Sequence, residues 1–314
     1  MEKGNKKLIT HNGSFHTDDI FAAATLAIFL EKKGDTFEIF RTRDEAIIKN
    51  GDYVFDVGGV YDEKKNRFDH HQIGGAGRRI PAVEGEAGIE YASFGLVWKK
   101  FGLKLSGSEK AFEMIDKKLA APIDAGDNGF DLVENKYEVT PYVIQQAFSS
   151  MKPTWREENV SIDEMFLKCV DIAKQILSRE IIQASDGVLA EEKVFSIYDG
   201  TEDKRIIILD NKYPFEHTLH NFPEPLFVVY PRGAGDNAEE GEESETWGVK
   251  AVRADPKTFK NRKNFPKHWA GLRDEDLQNV TNVRDAIFCH RGLFLSVAKS
   301  KEGAIKLAQI AVES

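Results

Sequence analysis

Residues 7–31 read KLITHNGSFHTDDIFAAATLAIFLE, and this stretch decides the fold of the first half of the chain. Residues 7–10 are typical of a short strand, whereas residues 18–31 are apolar on nearly every side and predict a buried helix. The polar turn between them contains Gly13, whose backbone freedom allows a tight path. A strand that leads directly into a buried helix indicates an α/β fold.

The same alternation continues outward from this stretch. Further strands are predicted at residues 37–42, 53–57 and 67–70, and helices at residues 88–101 and 108–121. Strands that alternate with helices predict a mainly parallel sheet flanked by helices. Ligands of such sheets bind beyond the carboxyl ends of the strands, so we expect functional residues at these positions.

The second half of the chain has a different pattern. Residues 163–184 carry apolar side chains at helical spacing, which predicts a helix that bridges the two halves. After Gly187, strands are predicted at 194–198, 205–209, 226–230 and 246–252, and helices at about 274–280 and 302–313. Residues 233–245 are acidic and glycine-rich, which predicts a mobile loop. We therefore expect an α/β catalytic domain at 1–150, a bridging helical segment at 151–187, and a smaller α+β substrate-binding domain at 188–314.

The composition is that of an ordinary soluble protein. Hydrophobic residues make up 41% and charged residues 30% of the 314 residues, and the net charge is -9. The chain has no long apolar run, no apolar leader and only two cysteines, so we expect no membrane span, no disulfide framework and a cytoplasmic location. An acidic chain must hold an anionic substrate through local positive charge or through metal ions.

The turn after the first strand carries the first candidate metal ligands, which are His11, His16 and Asp18. Imidazole and carboxylate groups together suit a transition metal such as manganese, iron or zinc. The alternative is that Thr17 or Asp18 caps the helix and that the histidines are incidental.

Two more candidate groups follow later strands. Asp56 ends an apolar strand, where an unpaired carboxylate is expensive to bury and a metal would offset that cost; the alternative is a turn-forming Asp before Gly58-Gly59. Asp69-His70-His71 offers imidazole ligands, with Asp69 able to fix the tautomer of a neighbouring ring. Arg78 and Arg79 come after a glycine-rich stretch and are candidate phosphate ligands. The alternative for residues 69–79 is an exposed polar turn with a flexible loop.

The fourth candidate group, DAGDNG at residues 124–129, follows a predicted helix. Either Asp124 or Asp127 can act as a ligand, and the alternative is a plain loop, because Asp, Asn and Gly are frequent turn residues. All four groups lie at the ends of predicted elements on one edge of the sheet. They contain half of the eight histidines in the chain.

These motifs resemble the Asp-His-His (DHH) phosphoesterase superfamily, which includes RecJ exonucleases, oligoribonucleases and family II inorganic pyrophosphatases. A closer resemblance is to the melanocyte-proliferating-gene exonuclease family, whose members are also called metal-dependent protein hydrolases. It is carried by THNGSFHTDDIFAAA, FDVGGVYD, RFDHHQ, the segment around ASFGLVW and DAGDNG, and towards the carboxyl end by WGVKAV, FPKHWAGL and FCHRGLF. It therefore covers nearly the whole chain. We find no HExxH motif and no nucleophile triad that would support protein hydrolysis.

The resemblance implies two divalent ions, with Mn²⁺ expected and Mg²⁺, Fe²⁺ or Zn²⁺ as alternatives. It assigns metal ligation to six residues, with Asp127 chosen over Asp124: His11, His16, Asp18, Asp56, His70 and Asp127. It gives Asp69 a supporting role, lets His71 face the substrate phosphate, and implies that His290 and Arg291 in the second domain contact the substrate. One departure is that His16 replaces an Asp found in many superfamily members.

These expectations point to a metal-dependent phosphodiester hydrolase. The substrate expected from the resemblance is single-stranded RNA or a short oligonucleotide, degraded in the 3′–5′ direction, and single-stranded DNA stays open. One alternative is a phosphoesterase that acts on a small molecule such as a dinucleotide or pyrophosphate. Another is a non-catalytic nucleic-acid-binding module with a structural metal. The sequence leaves the oligomeric state open.

Overall fold

The structure is a computed structural model that describes residues 4–81, 87–233, 246–255 and 258–314. It contains two compact units, Met1–Asp186 and Gly187–Ser314. None of the described helices is long and apolar enough to cross a membrane. Both cysteines are free and buried.

The first unit contains one five-stranded sheet. Its strands are β1 (Asn5–Thr10), β2 (Thr36–Arg41), β3 (Tyr53–Phe55), β4 (Tyr61–Asp62) and β5 (Arg67–Phe68). They lie in the order β2-β1-β3-β5-β4. β1 is parallel to β2 and β3, β3 is parallel to β5, and β4 is antiparallel to β5. The mainly parallel sheet is therefore confirmed, and the carboxyl ends of β1, β3 and β5 lie on the same edge.

Helices of the first unit follow the order α1 (Thr17–Lys33), α2 (Glu45–Lys49), α3 (Ser93–Ser106), α4 (Glu109–Ile115), α5 (Ala121–Asp127) and α6 (Ile144–Ser149). A further helix, α7 (Ile162–Gly200), begins in this unit. α1 is buried along most of its length, as its apolar sequence predicts. It packs against α3, where the rings of Phe21 and Phe94 lie 5.1 Å apart.

The helix predicted at residues 108–121 is shorter than the helical segment in the structure. α4 continues through a π-helical segment, Asp116–Ala120, directly into α5, so helical backbone reaches Asp127. Pro122 lies at the start of α5 and has no N–H to donate, which normally interrupts a helix. The wider π-helical turn in front of it absorbs this interruption, and such turns frequently occur at functional sites. Asp127 consequently lies at the end of a helix, and not in a free loop.

The second unit is built on a mixed sheet. Its strands are β6 (Ile206–Ile208), β7 (Phe227–Arg232), β8 (Thr246–Ala251), β9 (Ala286–Cys289) and β10 (Leu295–Ala298), in the order β6-β7-β8-β10-β9. β6 is parallel to β7, and the other neighbours are antiparallel. The helices α8 (Glu216–His220), α9 (Asp274–Thr281) and α10 (Lys301–Glu313) complete the predicted α+β arrangement.

One predicted strand of the second half is wrong. Residues 194–198 have strand-forming side chains, yet they belong to α7. The helical spacing of buried side chains continues through Ala190, Val194 and Tyr198, so packing overrides the local preference for strand. Most of the predicted mobile loop at 233–245 lies outside the described residues.

Candidate metal centre

The turn between β1 and α1 brings the first group of candidates to the edge of the sheet. His11 follows the last residue of β1, His16 is the N-cap of α1, and Asp18 and Asp19 lie in its first turn. Acidic side chains are favourable there because the helix dipole places partial positive charge at its N-terminus. The His16 amide donates to Asp19 Oδ1 at 3.0 Å. Asp18 and Asp19 are both fully buried.

Two arginines fix the path of this turn. Arg41 Nη2 donates to the carbonyl oxygen of Gly13 at 2.6 Å, and Arg43 Nη1 donates to that of Asn12 at 2.6 Å. His11 Nδ1 lies 3.1 Å from the same Asn12 oxygen. Since a carbonyl oxygen only accepts, Nδ1 carries the proton, and in the neutral ring Nε2 keeps its lone pair for a cation.

Asp56 follows β3 directly and adopts a left-handed backbone conformation with φ 54°. This conformation is strained for most residues and is better tolerated by Asp and Asn. It places the carboxylate among three imidazoles: Oδ2 lies 3.0 Å from His11 Nε2, and Oδ1 lies 3.3 Å from His70 Nε2 and 3.6 Å from His71 Nδ1. Asp56 is therefore the residue that links the candidate groups.

The Asp69-His70-His71 segment follows β5, and its two histidines lie in different surroundings. His70 is buried, and its Nε2 lies 3.2 Å from Asp127 Oδ2. Asp69 accepts from the Gly59 amide through Oδ2 and from His71 Nδ1 at 2.8 Å through Oδ1. His71 thus has a fixed ring, although 61% of its side chain is exposed. Asp69 therefore orients the exposed His71 ring, and the roles of both residues towards a substrate stay predictions.

Asp127, and not Asp124, joins the group. Asp127 Oδ2 contacts His70, and its Oδ1 lies 3.9 Å from His16 Nδ1. Asp124 is completely buried nearby, where Arg79 Nη1 donates to it at 2.7 Å and the Gly95 amide at 3.0 Å. Its oxygens are therefore engaged elsewhere.

Buried nitrogen and oxygen atoms of this cluster approach one another, as His11 Nε2 and Asp56 Oδ2 do at 3.0 Å, without the geometry of a hydrogen bond. Among the described residues, eleven buried side-chain nitrogen or oxygen atoms have no hydrogen-bond partner, and five of them lie here: His11 Nε2, Asp18 Oδ1, Asp19 Oδ2, Asp56 Oδ2 and His70 Nε2. Buried polar atoms without partners are costly and rare. Three overlapping triads of the cluster have ligand atoms within 4.8 Å of one another, His11-His16-Asp56, Asp56-His70-His71 and His16-Asp18-Asp127. The donor set and its unpartnered atoms fit divalent cations.

The pKa values of the cluster are shifted in directions that favour positive charge at this site. Burial raises the pKa of Asp18 well above its usual range, and the carboxylates of Asp56 and Asp127 raise it further. Burial lowers the pKa of His11, but Asp19 and Asp56 outweigh this effect and raise it to about 10. Burial would also raise the pKa of Asp56, whereas His11 and His70 hold it below its ordinary value. Crowded carboxylates therefore raise the pKa of Asp18 and of His11, whereas two imidazoles lower that of Asp56.

Sequence reasoning missed two residues of the site. Asp19 lies 3.3 Å from His11 Nε2, and its position three residues after the N-cap is the capping-box signal that could have identified it. Ser93, at the start of α3, donates its amide to Asp18 Oδ2 at 3.3 Å and its hydroxyl to Asp56 Oδ1 at 3.2 Å. The N-cap of α3, Ala92, has no side-chain acceptor, so Asp18 and Asp124 accept from the free amides of this helix end. Ser93 lies in ASFGLVW, one of the segments that carry the resemblance, and this is the signal that could have identified it.

The candidate phosphate ligands Arg78 and Arg79 both have carboxylate partners within the unit. Arg78 pairs with Glu90. Arg79 donates to Asp116 at 2.8 Å through Nε and through Nη2, in addition to its bond with Asp124. Their substrate contacts stay predictions, and the geometry gives Arg79 a positioning role for the helical segment that ends at Asp127.

His290 and Arg291 belong to the second unit, between β9 and β10. His290 Nδ1 accepts from the Gly292 amide at 2.9 Å, and its ring lies 4.4 Å from that of Phe294. Arg291 is exposed. Their role in substrate binding stays a prediction.

Two cavities reach the cluster from within the first unit. One, which we call the aromatic cavity, has a volume of about 330 Å³ and extends from His16, Asp18 and Asp127 to α6 and Lys152. Its apolar wall contains Phe15, Ile123 and Phe148. The other, which we call the glycine-lined cavity, has a volume of about 550 Å³. It is lined by His11, Asp56 and His71 from the cluster and also by Arg43, Val57, Gly58 and Gly59.

Comparisons with known proteins agree with the resemblance read from the motifs. The MYG1 exonuclease of Homo sapiens is 28% identical over 332 residues, which cover 96% of this chain and 84% of that protein. The MYG1 protein C694.04c of Schizosaccharomyces pombe is 26% identical over 341 residues, with 98% and 97% covered. The crystal structure of RecJ in complex with Mn²⁺ from Thermus thermophilus covers 99% of this chain and 52% of that chain, with 10% identity and a TM-score of 0.28. Residues 7–312 match the family model MYG1_exonuc, described as "Uncharacterised protein family (UPF0160)". The chain therefore belongs to this MYG1 exonuclease family.

Proposed function

We propose that the chain is a metal-dependent phosphodiester hydrolase. The observation that carries this proposal is the convergence of His11, Asp18, Asp56, His70 and Asp127, with five unpartnered buried atoms in and beside this set. Asp56 and His16 each belong to two of the overlapping triads, and of these two only the Asp56 carboxylate has two oxygens to offer, so Asp56 is suited to be shared between two ions. A pair of divalent ions, when bound, polarises a phosphoryl group and lowers the pKa of a bound water.

The other residues of the cluster have distinct tasks in this proposal. Asp69 holds the Nδ1 proton of His71, which orients that exposed ring, and in the protonated ring Nε2–H can donate to a phosphoryl oxygen of the substrate. Ser93 donates to Asp56 and Asp18, and this fixes the carboxylates before substrate binds. A hydrolase of this kind needs no serine or cysteine nucleophile.

We infer the substrate more closely from the names of the relatives and from the cavities of the first unit. Relatives such as the human protein are named exonucleases. We therefore infer that the substrate is single-stranded RNA or a short oligonucleotide cleaved from its 3′ end, with two Mn²⁺ ions as cofactor. Single-stranded DNA is the other polymer to be tested.

The properties of the aromatic cavity make hydrolysis of a small substrate the second candidate function. The aromatic cavity combines an apolar wall with polar groups that make no hydrogen bond to the described residues, namely Lys152 Nζ, Ser149 Oγ and the carboxamide oxygen of Gln145. Its volume of about 330 Å³ lies at the lower end of the range for ligand pockets and suits one nucleotide. We infer that it holds the nucleoside next to the bond that is cleaved, whether the substrate is a dinucleotide or a longer strand.

A side-by-side assay tests the proposal. Short RNA, single-stranded DNA and dinucleotides are incubated with the protein and Mn²⁺, and end-labelled strands report the direction of degradation. We expect phosphodiester cleavage that disappears in His70→Ala and falls about 10- to 100-fold in Asp69→Ala. A folded, metal-loaded protein that cleaves none of these substrates would refute the proposal.

A further inference from the structure

A third cavity of the first unit, which we call the basic cavity, has a volume of about 620 Å³ and plays no part in the site described so far. Its basic residues are Arg43, Lys49, Lys65 and Arg67. Its acidic residues are Glu45 and Asp62, and its apolar wall contains Ile48, Val54, Val57 and Val60.

Three of the four basic side chains keep an unneutralised charge. Arg43 donates to the carbonyl and side-chain oxygens of Asn12, and Arg67 donates to backbone carbonyls, including that of Lys49 at 3.3 Å. These acceptors carry no net charge. Lys49 has no carboxylate within 4 Å among the described residues, whereas Lys65 pairs with Asp62 at 3.3 Å. In a chain of net charge -9, this concentration of free positive charge indicates an anion site.

The basic cavity adjoins the glycine-lined cavity. Arg43, Val57 and Gly58 line both the basic cavity and the glycine-lined cavity, which in turn reaches His11, Asp56 and His71. Cations that lead away from a phosphate-cleaving centre suit a ligand with several phosphates in a row. The apolar wall, where Val60 is 49% exposed, suits sugars and bases better than it suits an inorganic polyphosphate.

We propose that the basic cavity binds the backbone phosphates of a single-stranded polynucleotide whose end lies at the metal centre. The position of that end rests on the proposed function, whereas binding of the strand by the cavity is a separate property. The catalytic unit would therefore contribute its own strand-binding surface. The proposal predicts that affinity rises with the length of the strand.

Fluorescence anisotropy with phosphorothioate-linked oligonucleotides, which resist hydrolysis, tests the proposal on the full chain. Strands of about two, four and eight nucleotides are titrated at salt concentrations of about 50 to 200 mM. In Lys49→Glu, we expect the longest strand to bind roughly fivefold more weakly. We also expect the slope of log affinity against log salt to fall by about 0.7, the value for one lost phosphate contact of a single strand. Lys168→Glu, an exposed residue of α7 outside the cavity, is the charge-matched control.

The outcomes separate the two proposals. Equal weakening by Lys49→Glu and Lys168→Glu, or the same affinity for all lengths, would overturn the strand-binding role. Tighter binding of inorganic polyphosphate than of the longest strand would overturn it as well. Hydrolysis of a dinucleotide by the unmodified protein tests the phosphodiesterase separately, so either proposal can fail while the other stands.

Discussion

Two largely buried carboxylate networks of the first unit approach each other at α5, where Asp124 belongs to one and Asp127 to the other, and they differ in how their charges are balanced. In the first, Asp116 and Asp124 are matched by Arg79, whose guanidinium donates to both. In the second, Asp18, Asp19, Asp56 and Asp127 are joined with imidazoles, and five atoms of the network have no partner. The comparison teaches that a network closed by an arginine is costly to break, whereas one with unpartnered atoms offers a place for cations.

The two networks also differ in what they require of the backbone. A Cβ added to Gly95 would lie 1.8 Å from Asp124 Oδ2 and 2.7 Å from Arg79 Nη2, so the arginine network needs a glycine in α3 to close around it. In the second network, by contrast, Asp56 adopts a strained left-handed conformation that directs its carboxylate towards three imidazoles. Strain of this kind is typical of functional positions.

The largest expected effect comes from removing the charge that links the second network. Asp56→Asn keeps the size of the side chain but removes a shared ligand, and we expect a loss of hydrolysis on the order of 10³-fold or more. The free energy of unfolding without metal should also fall, because His11 and His70 hold the pKa of Asp56 below its ordinary value and the neutral amide loses this stabilisation. Steady-state kinetics and urea unfolding measure the two effects.

The control for this change is Asp124→Asn in the first network. It lies three residues from Asp127, yet we expect it to keep the metal content and to lower the unfolding free energy, since Arg79 then loses a charged partner. If Asp56→Asn kept its metal, the contrast between the networks would be lost.

The second prediction removes the cation of the first network. Arg79→Met leaves Asp116 and Asp124 without their partner, and we expect a loss of about 3–5 kcal/mol in unfolding free energy. Arg78→Met is the matched control, because Arg78 pairs with Glu90 on the surface, where 47% of its side chain is exposed. We expect it to lose about 1 kcal/mol or less. Equal losses in urea unfolding would show that Arg79 is not the centre of a buried network.

These networks also show how far sequence reasoning reaches. Alternating strands and helices predicted the parallel sheet, and the position of candidates after β1, β3 and β5 predicted which residues meet, because strand ends share one edge. The partner of Asp124 was not predictable, since Arg79 lies 45 residues away and its choice of carboxylate depends on tertiary packing. Ser93 was missed although it lies in a segment that carries the resemblance. Residues 194–198 show the opposite failure, where a local preference for strand obscured a helical spacing.

The third prediction concerns the support of an exposed ring. Asp69→Ala leaves His71 Nδ1 without its acceptor, and we expect a loss of activity of about 10- to 100-fold, the range for residues that orient a ligand. Asp69→Asn keeps one acceptor oxygen and should recover part of this loss. Activity in Asp69→Ala equal to that of the unmodified protein would contradict the supporting role.

The smallest expected effect lies in the aromatic cavity. Lys152 has no carboxylate within 4 Å among the described residues, and its ammonium lies 5.6 Å from the ring centre of Phe15. We expect Lys152→Gln to raise KM roughly three- to fivefold with little change in kcat, because an exposed ion pair contributes little. Lys168→Gln is the control. An unchanged KM would remove Lys152 from substrate binding.

The central claim is that the incomplete network holds two divalent ions, and counting bound metal tests it most directly. The purified chain is dialysed against Mn²⁺, and the manganese content per chain is measured by mass spectrometry for the unmodified protein and for Asp56→Asn. The account predicts two ions per chain in the unmodified protein and a clear loss in the variant, while Asp124→Asn retains both. A folded, unmodified chain that retains no manganese, magnesium, iron or zinc would contradict it.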